Sequence, residues 1–397
     1  MNLRRSCTLL TAALFVTATA AEAAVHRVLP GQSIQEAIDD AAPGDTILVE
    51  PGVYQEAGNA QFGLRIATDG LRLIGKVKPG RGEAGKVRLV QTGTQITGVY
   101  AAPAACGPEV GVGGCPDELQ GFEIRGFTVE DFPRHGIQTR FVKDFRIVRN
   151  ESARNLENGI YPTISANGLV QQNVSYGSLD TAMWVAASEN VRVMNNEMYD
   201  SVIGLEISVA NDVHVTQNDI HDNTVGVALI HPNGAGNAQL PVMANWVIEH
   251  NDVYENNAPN AAPPGSFQSG LPPGVGILLL GVSNHVIAKN RVENNDYVGI
   301  GVLGWCTATA SIPGRGCDVD PPQADPAAND NLIAQNKVSG NGGSPPGGGA
   351  GPLDFLAADI TYFQFEAASG NCFEKNKPAG FTSVSSEPDG ELPTDGC

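Results

Sequence analysis

Six residues in the middle of the chain carry the side chains that acid–base chemistry at carbon needs: Arg134, His135, Arg140, Tyr161, Asp180 and Glu206. Arg134 and Arg140 offer fixed positive charge that can clamp a carboxylate and stabilise the negative charge growing beside it. His135 can take a proton and Tyr161 can return one. That set suits abstraction of a proton next to a carboxylate, followed by loss of a leaving oxygen or by return of the proton. Asp180 and Glu206 point to a different chemistry, because two carboxyl groups about 5–9.5 Å apart can protonate an acetal oxygen and activate a nucleophile. Trp184 and Tyr161 add aromatic faces on which a ring can stack, or Trp184 packs beneath a loop. Gln138, Glu157 and Asn158 add polar groups for hydroxyls, with His231 at the edge. A lone histidine beside a glycine turn is also a common structural residue, so His135 carries both readings.

These residues are scattered from 134 to 231, so the backbone must repeat for them to share a face. It does. An apolar residue, two others and then Asn recur at Asn150, Asn173, Asn196, Asn218, Asn251, Asn290 and Asn336, with steps of 23, 23, 22, 33, 39 and 46 residues. The last three steps are the same unit enlarged by loops at 232–244, 258–274 and 304–330. A second polar column follows five residues later, at Asn155, Ser178, Ser201, Asn223, Asn256, Asn295 and Asn341. A unit of 22–23 residues with three short alternating stretches is one coil of a parallel β-helix with three strands per coil. Ile147, Val170, Val193, Val215, Ile248, Ile287 and Ile333 form one inward column, and Ser152, Ser175, Met198, Ile220, Val253, Val292 and Val338 another. The Asn columns read as structural: Asn tolerates left-handed backbone at bends, and stacked Asn side chains hydrogen-bond along the axis.

A third inward column, Ile137, Ile160, Met183, Leu205, Val227, Ile277 and Ile300, leaves Gln138, Tyr161, Trp184, Glu206, Ala228, Leu278 and Gly301 facing outward. The face is polar and aromatic in the earlier coils and apolar in the later ones. The loops from 232 and 304 are expected to cover the apolar part, leaving a groove from Gln138 to Glu206. At about 4.8 Å per coil, four coils span about 15 Å. Ser33 and Glu36 read as a capping box before an apolar helical face of Ile34, Ala37, Ile38 and Ala41, which would cover the N-terminal end of the stack before Thr46–Val49 begins the first coil.

The run from Pro30 to Glu56 resembles the opening of many bacterial members of the pectin-lyase-like superfamily. The Asn-punctuated coils, such as Asp180 to Glu206, resemble its parallel β-helix repeats, including those of NosD-like periplasmic proteins. The resemblance spans about 30–376 and implies an all-β, single-stranded right-handed parallel β-helix. It does not choose an activity, because the superfamily holds lyases, hydrolases, epimerases and non-enzymes. The chain lacks the R-x-P-x-x-R of pectate lyases, the G-H-G of polygalacturonases and the D-P-H-D of alginate epimerases. The expected activity is processing of a polysaccharide, uronic-acid-containing first, by β-elimination or epimerisation. The alternatives are a glycoside hydrolase, a non-catalytic carbohydrate-binding scaffold, and a NosD-like accessory protein.

Arg4 and Arg5 before Leu9–Ala20, then Ala21-Glu22-Ala23, have the layout of a secretory signal peptide over 1–23, leaving a β-helix over 24–377 and a polar tail over 378–397. The longest other apolar run, Val275 to Val282, is far short of the about 20 residues a membrane span needs. A formal charge of −19 argues against nucleic acid and anionic membranes as partners. Between 134 and 154, however, six basic residues face only Asp144 and Glu151, a local excess that would favour an anionic polysaccharide or is ordinary solvated charge. Outside the signal there are six cysteines, without C-x-x-C spacing. Cys106 and Cys115, and Cys306 and Cys317, each bracket a short Gly/Pro-containing loop, which leaves Cys372 for Cys397. No cofactor is implied. Calcium at Asp318-Val319-Asp320 is one reading of a pair that also suits a plain turn, and the histidines fall in different columns, which gives metal no further support.

Overall fold

In the computed structural model, the described residues are 23–57, 60–78, 85–107, 115–230, 243–310, 316–319, 321–322, 325–394 and 396–397. Each 22–23-residue unit makes three strands, as in Ala166–Gln171, Val174–Tyr176 and Thr181–Ala186, and each strand pairs in parallel with its counterpart one coil later. The stack generates parallel sheets of 12, 10 and 11 strands, called here the first, second and third in the order the chain visits them. The three inward columns lie in register and are buried throughout.

The bends divide their labour between two residues. The residue before each repeating Asn takes the left-handed conformation: Gln172, Asn195, Gln217, His250, Lys289 and Gln335 have φ of 55–57°. The Asn itself turns inward and is buried. This departs from the expectation that Asn occupies the strained position. Inside, Asn150, Asn173, Asn196, Asn218, Asn251, Asn290, Asn336 and Asn376 form a ladder in which each side-chain N–H donates to the next Asn Oδ1 at 2.9–3.1 Å. The same Oδ1 accepts the backbone N–H of the Asn before it. Left-handed backbone costs a residue with a side chain roughly 1–2 kcal/mol, and the ladder supplies the compensating bonds.

At the N-terminal end Ser33 Oγ accepts the Glu36 N–H at 3.1 Å and the helix Ile34–Asp39 packs Ile34 and Ile38 into the core. Glu56, not foreseen as part of the cap, accepts from Ile34 N–H and the Ser33 hydroxyl. A strand at Val25–Val28, also unforeseen, pairs with Thr46–Val49 and starts the first sheet. The helix stands where that coil would have its second- and third-sheet strands. Its Gln35 amide bonds both the N–H and the C=O of Arg65, on the edge strand Phe62–Ile66, so the edge is closed as an exposed edge requires.

The C-terminal end is closed by the polar tail. Ser383–Ser385 adds a strand to the third sheet, Phe381 and Leu392 pack against the core, and Thr382 bonds Asp359. The disulfides are Cys106–Cys115, Cys306–Cys317 and Cys372–Cys397. Among the described residues no helix is long and apolar enough to cross a membrane.

The apolar half of the third sheet is covered, in part by segments not foreseen. Leu271 and Phe267 from the 258–274 loop, Trp305 from the helix Trp305–Thr309, and Leu356 pack over Ala228, Ile230, Leu278 and Leu280. The 304–330 loop contributes as foreseen; most of the 232–244 loop, and His231 beside it, lie outside the described residues.

Candidate active face on the third sheet

Three successive strands, His135–Arg140, Asn158–Thr163 and Thr181–Ala186, with the next, Ile203–Ser208, carry the expected residues onto one outer face. Gln138 pairs with Tyr161 and Trp184 with Glu206, so these side chains stack in one column. Asp180 sits just before its strand, at the rim. Gly159, near the start of its strand, lets the walls of the coil approach closely: a Cβ there would lie 2.0 Å from Ser175 Oγ.

Both acids of the face are strongly perturbed. Thr181 Oγ lies 3.1 Å from Asp180 Oδ1 and 3.2 Å from Glu206 Oε2, which holds the two carboxyl oxygens no more than about 6.3 Å apart. A hydroxyl has one proton to give. Both contacts are therefore hydrogen bonds only when one carboxyl is protonated and donates to Thr181. Burial drives both groups in that direction. It pushes Asp180 up to about 6, with Glu157 adding repulsion, while bonds from Thr181 and Gln268 hold it down. Glu206, 5 % exposed, is pushed well above the usual carboxylate range by burial and then by Asp180. Glu206 is thus the natural holder of the proton, and Asp180, half-buried at the rim, the group that titrates near neutrality.

His135 is buried against Asn158, with Nδ1 3.3 Å from Asn158 Nδ2, and burial lowers its pKa to about 4. Its ring meets Tyr161 at 4.9 Å between centroids. Burial pushes Tyr161 up to about 12 while the nearby Arg140 guanidinium opposes that rise. At neutral pH the pair is a neutral imidazole beside a protonated phenol.

Several expected roles change. Tyr161 and Trp184 stack on each other, 4.7 Å apart and 16° from parallel, and Trp184 Nε1 donates to Ser208 Oγ at 2.8 Å. Their mutually facing sides are already occupied, so the pair presents ring edges rather than a stacking platform for a sugar. Arg134 is engaged by Glu157, Nε to Oε2 at 2.6 Å, which removes both from the roles of carboxylate clamp and hydroxyl acceptor in this arrangement. Asn158 is wholly buried and Gln138 nearly so, beneath the surface a hydroxyl could reach. Part of the local excess of basic residues is met by acids one coil away: Arg134 pairs with Glu157, Lys143 with Glu118, and Arg154 with Glu130 and Asp131. Thr181, Ser208 and Gln268 went unnoticed in the sequence. Thr181 follows Asp180 directly, and that adjacency was its only signal; Gln268 arrives from an inserted loop.

Metal-ligating groups gather elsewhere. On the second sheet Glu197, Asp219 and His221 bring their ligand atoms within 4.8 Å of one another. This corrects the reading that the histidines give no support to metal. Of the calcium candidate, Asp320 lies outside the described residues and Val319 is 71 % exposed.

The family profile for a right handed beta helix region matches residues 117–240. The chain is a right-handed parallel β-helix. It has the fold of the pectin-lyase-like superfamily. Among solved β-helices, the A-module of the mannuronan C-5 epimerase AlgE4 from Azotobacter vinelandii is similar at 17 % identity and a TM-score of 0.58, over 89 % of this chain and 95 % of that one. The AlgE6 A-module from the same organism is similar at 16 % identity and 0.54, over 89 % and 93 %. DFA-IIIase from Arthrobacter chlorophenolicus A6, without its lid, is similar at 13 % identity and 0.54, over 89 % and 82 %. At these identities the likeness is one of fold. None of the curated proteins is recognisably similar in sequence.

Proposed function

We propose that this β-helix cleaves glycosidic bonds of a polysaccharide by acid–base catalysis on the third sheet, with Asp180 as the group that meets substrate. The observation that carries this reading is the Asp180–Thr181–Glu206 chain, in which one hydroxyl serves two carboxyls. Asp180 exchanges protons near neutrality, where a general acid or base works best. Glu206 acts through Thr181 as a positioning residue and proton reserve. Similarity to solved epimerase modules and DFA-IIIase supports a carbohydrate substrate, and the three disulfides support export to an oxidising compartment.

A second reading, β-elimination or epimerisation of a uronic-acid polymer, is favoured by the neutral His135 beside the protonated Tyr161 with Arg140 close by. Products separate the two. Hydrolysis releases reducing ends without ultraviolet-absorbing unsaturated uronate; elimination yields both. With a panel of neutral and uronic-acid polysaccharides, Asp180→Asn is expected to lower the rate by roughly 10²–10⁴. Unchanged hydrolysis by folded Asp180→Asn removes the assignment. Loss of unsaturated product in His135→Gln, with Asp180→Asn active, would establish the second reading.

A further inference from the structure

We propose that Glu197, Asp219 and His221 form a site for one divalent transition-metal ion, of the zinc, cobalt or manganese class, on the outer face of the second sheet. The inference does not rest on the function proposed for the third sheet.

Strands Glu197–Tyr199 and Asp219–His221 are neighbours, with Glu197 directly across from Asp219. The next residue in that column is Asp252. Like charges directly opposite destabilise a sheet pair, so the column calls for a compensating cation. The nearest basic residue of the column, Arg291, is already paired with Glu293 at 2.5 Å.

The donors are prepared for one. His221 Nδ1 lies 2.8 Å from Asp222 Oδ2, which places the ring hydrogen on Nδ1 and leaves the Nε2 lone pair to face the carboxylates. A carboxylate behind a histidine is the usual support of a metal-bound imidazole. The ring is fixed in plane as well, sandwiched between Tyr199 at 5.4 Å and Tyr254 at 5.1 Å, both nearly parallel to it. His221 Nε2 stands 3.6 Å from Glu197 Oε1, too far for a hydrogen bond and close to the separation of two donors on one metal. Asp219 supplies the independent sign. The Tyr254 hydroxyl lies near its carboxylate, yet the Asp219 Oδ1 is buried and has no hydrogen-bond partner among the described residues. A buried acceptor left unbonded costs roughly 1–3 kcal/mol, and more when charged; a metal ion at this position satisfies it. One imidazole and two carboxylates select a transition ion over calcium, which prefers six to eight oxygens.

The test uses the full chain stripped with a chelator. Cobalt(II) and zinc(II) are titrated by calorimetry, and the cobalt complex is followed by its visible absorption. One ion per chain is expected, with binding weakened at least tenfold in Glu197→Gln, Asp219→Asn and His221→Gln, and also weakened in Asp222→Asn. Glu197 is half-exposed, so Glu197→Gln remains informative if a variant of the more buried His221 fails to fold. Three results overturn the proposal: no cobalt or zinc binding tighter than millimolar, binding unaffected by Glu197→Gln and His221→Gln, or calcium bound in preference to both transition ions.

Discussion

Replacing Asn196 by Ala tests how far the internal ladder holds the coils together. Asn196 Oδ1 accepts from the backbone N–H and the side-chain N–H of Asn173, at 2.9 and 3.0 Å. Its own Nδ2 donates to Val170 C=O and to Asn218 Oδ1, both at 3.0 Å. The substitution removes all four bonds inside a buried column. The Asn173 backbone N–H is left buried without its acceptor, at about 1–3 kcal/mol, and the other three bonds contribute about 0.5–1 kcal/mol each. The expected loss is about 2.5–6 kcal/mol. It is measured by urea unfolding followed by far-ultraviolet circular dichroism, as a lowered midpoint with an unchanged slope. Asn376→Ala is the internal control. Asn376 ends the ladder and is half-buried, so water can serve the groups it leaves and the loss should be under half as large. A loss below about 0.5 kcal/mol at Asn196, or equal losses at Asn196 and Asn376, would refute the view that buried amide pairing rather than strand pairing sets the stability of a coil.

Two further outcomes follow from buried groups. His285 lies stacked on Trp246 with its ring centroid 4.2 Å away, accepts the Trp246 N–H at Nδ1, and is lowered to about 3 by burial. Because its folded pKa lies below the unfolded value near 6.5, its contribution is complete above pH 6.5 and is lost as pH falls toward 3, on the order of 4–5 kcal/mol in all. His285→Gln should flatten the dependence of unfolding free energy on pH between 6.5 and 4; an unaltered slope would count against burial of the neutral ring. On the third sheet, the Thr181 hydroxyl donates to Asp180 in the proposed chain and lowers its pKa, so Thr181→Val should move the Asp180 titration to higher pH. Carbon NMR of the labelled carboxyls reads this without any substrate, and a downward or absent shift would break the proposed chain.

The coil was legible in the sequence because a parallel β-helix repeats the same local problem every 22–23 residues. Ile147, Val170 and Val193 announce the inward column, and Asn150, Asn173 and Asn196 the ladder, since each must lie above its copy. The short cysteine loops were legible for a similar local reason. The placement of Asp180, Glu206, His135 and Tyr161 on one face also followed from the repeat. What the repeat does not contain is lateral contact. Arg134 reads as a free clamp until Glu157, one coil on, takes it; Tyr161 and Trp184 read as two open platforms until stacking turns their faces to each other. Gln268 reaches Asp180 from a loop whose path no periodicity describes. The protonation of the acids likewise depends on burial, and burial on which segments cover the sheet. Composition and spacing thus determined the coil, because its contacts recur at fixed sequence distance. The charge state and accessible edges of the face were decided by tertiary structure, because they depend on neighbours separated by a coil or delivered by an insertion.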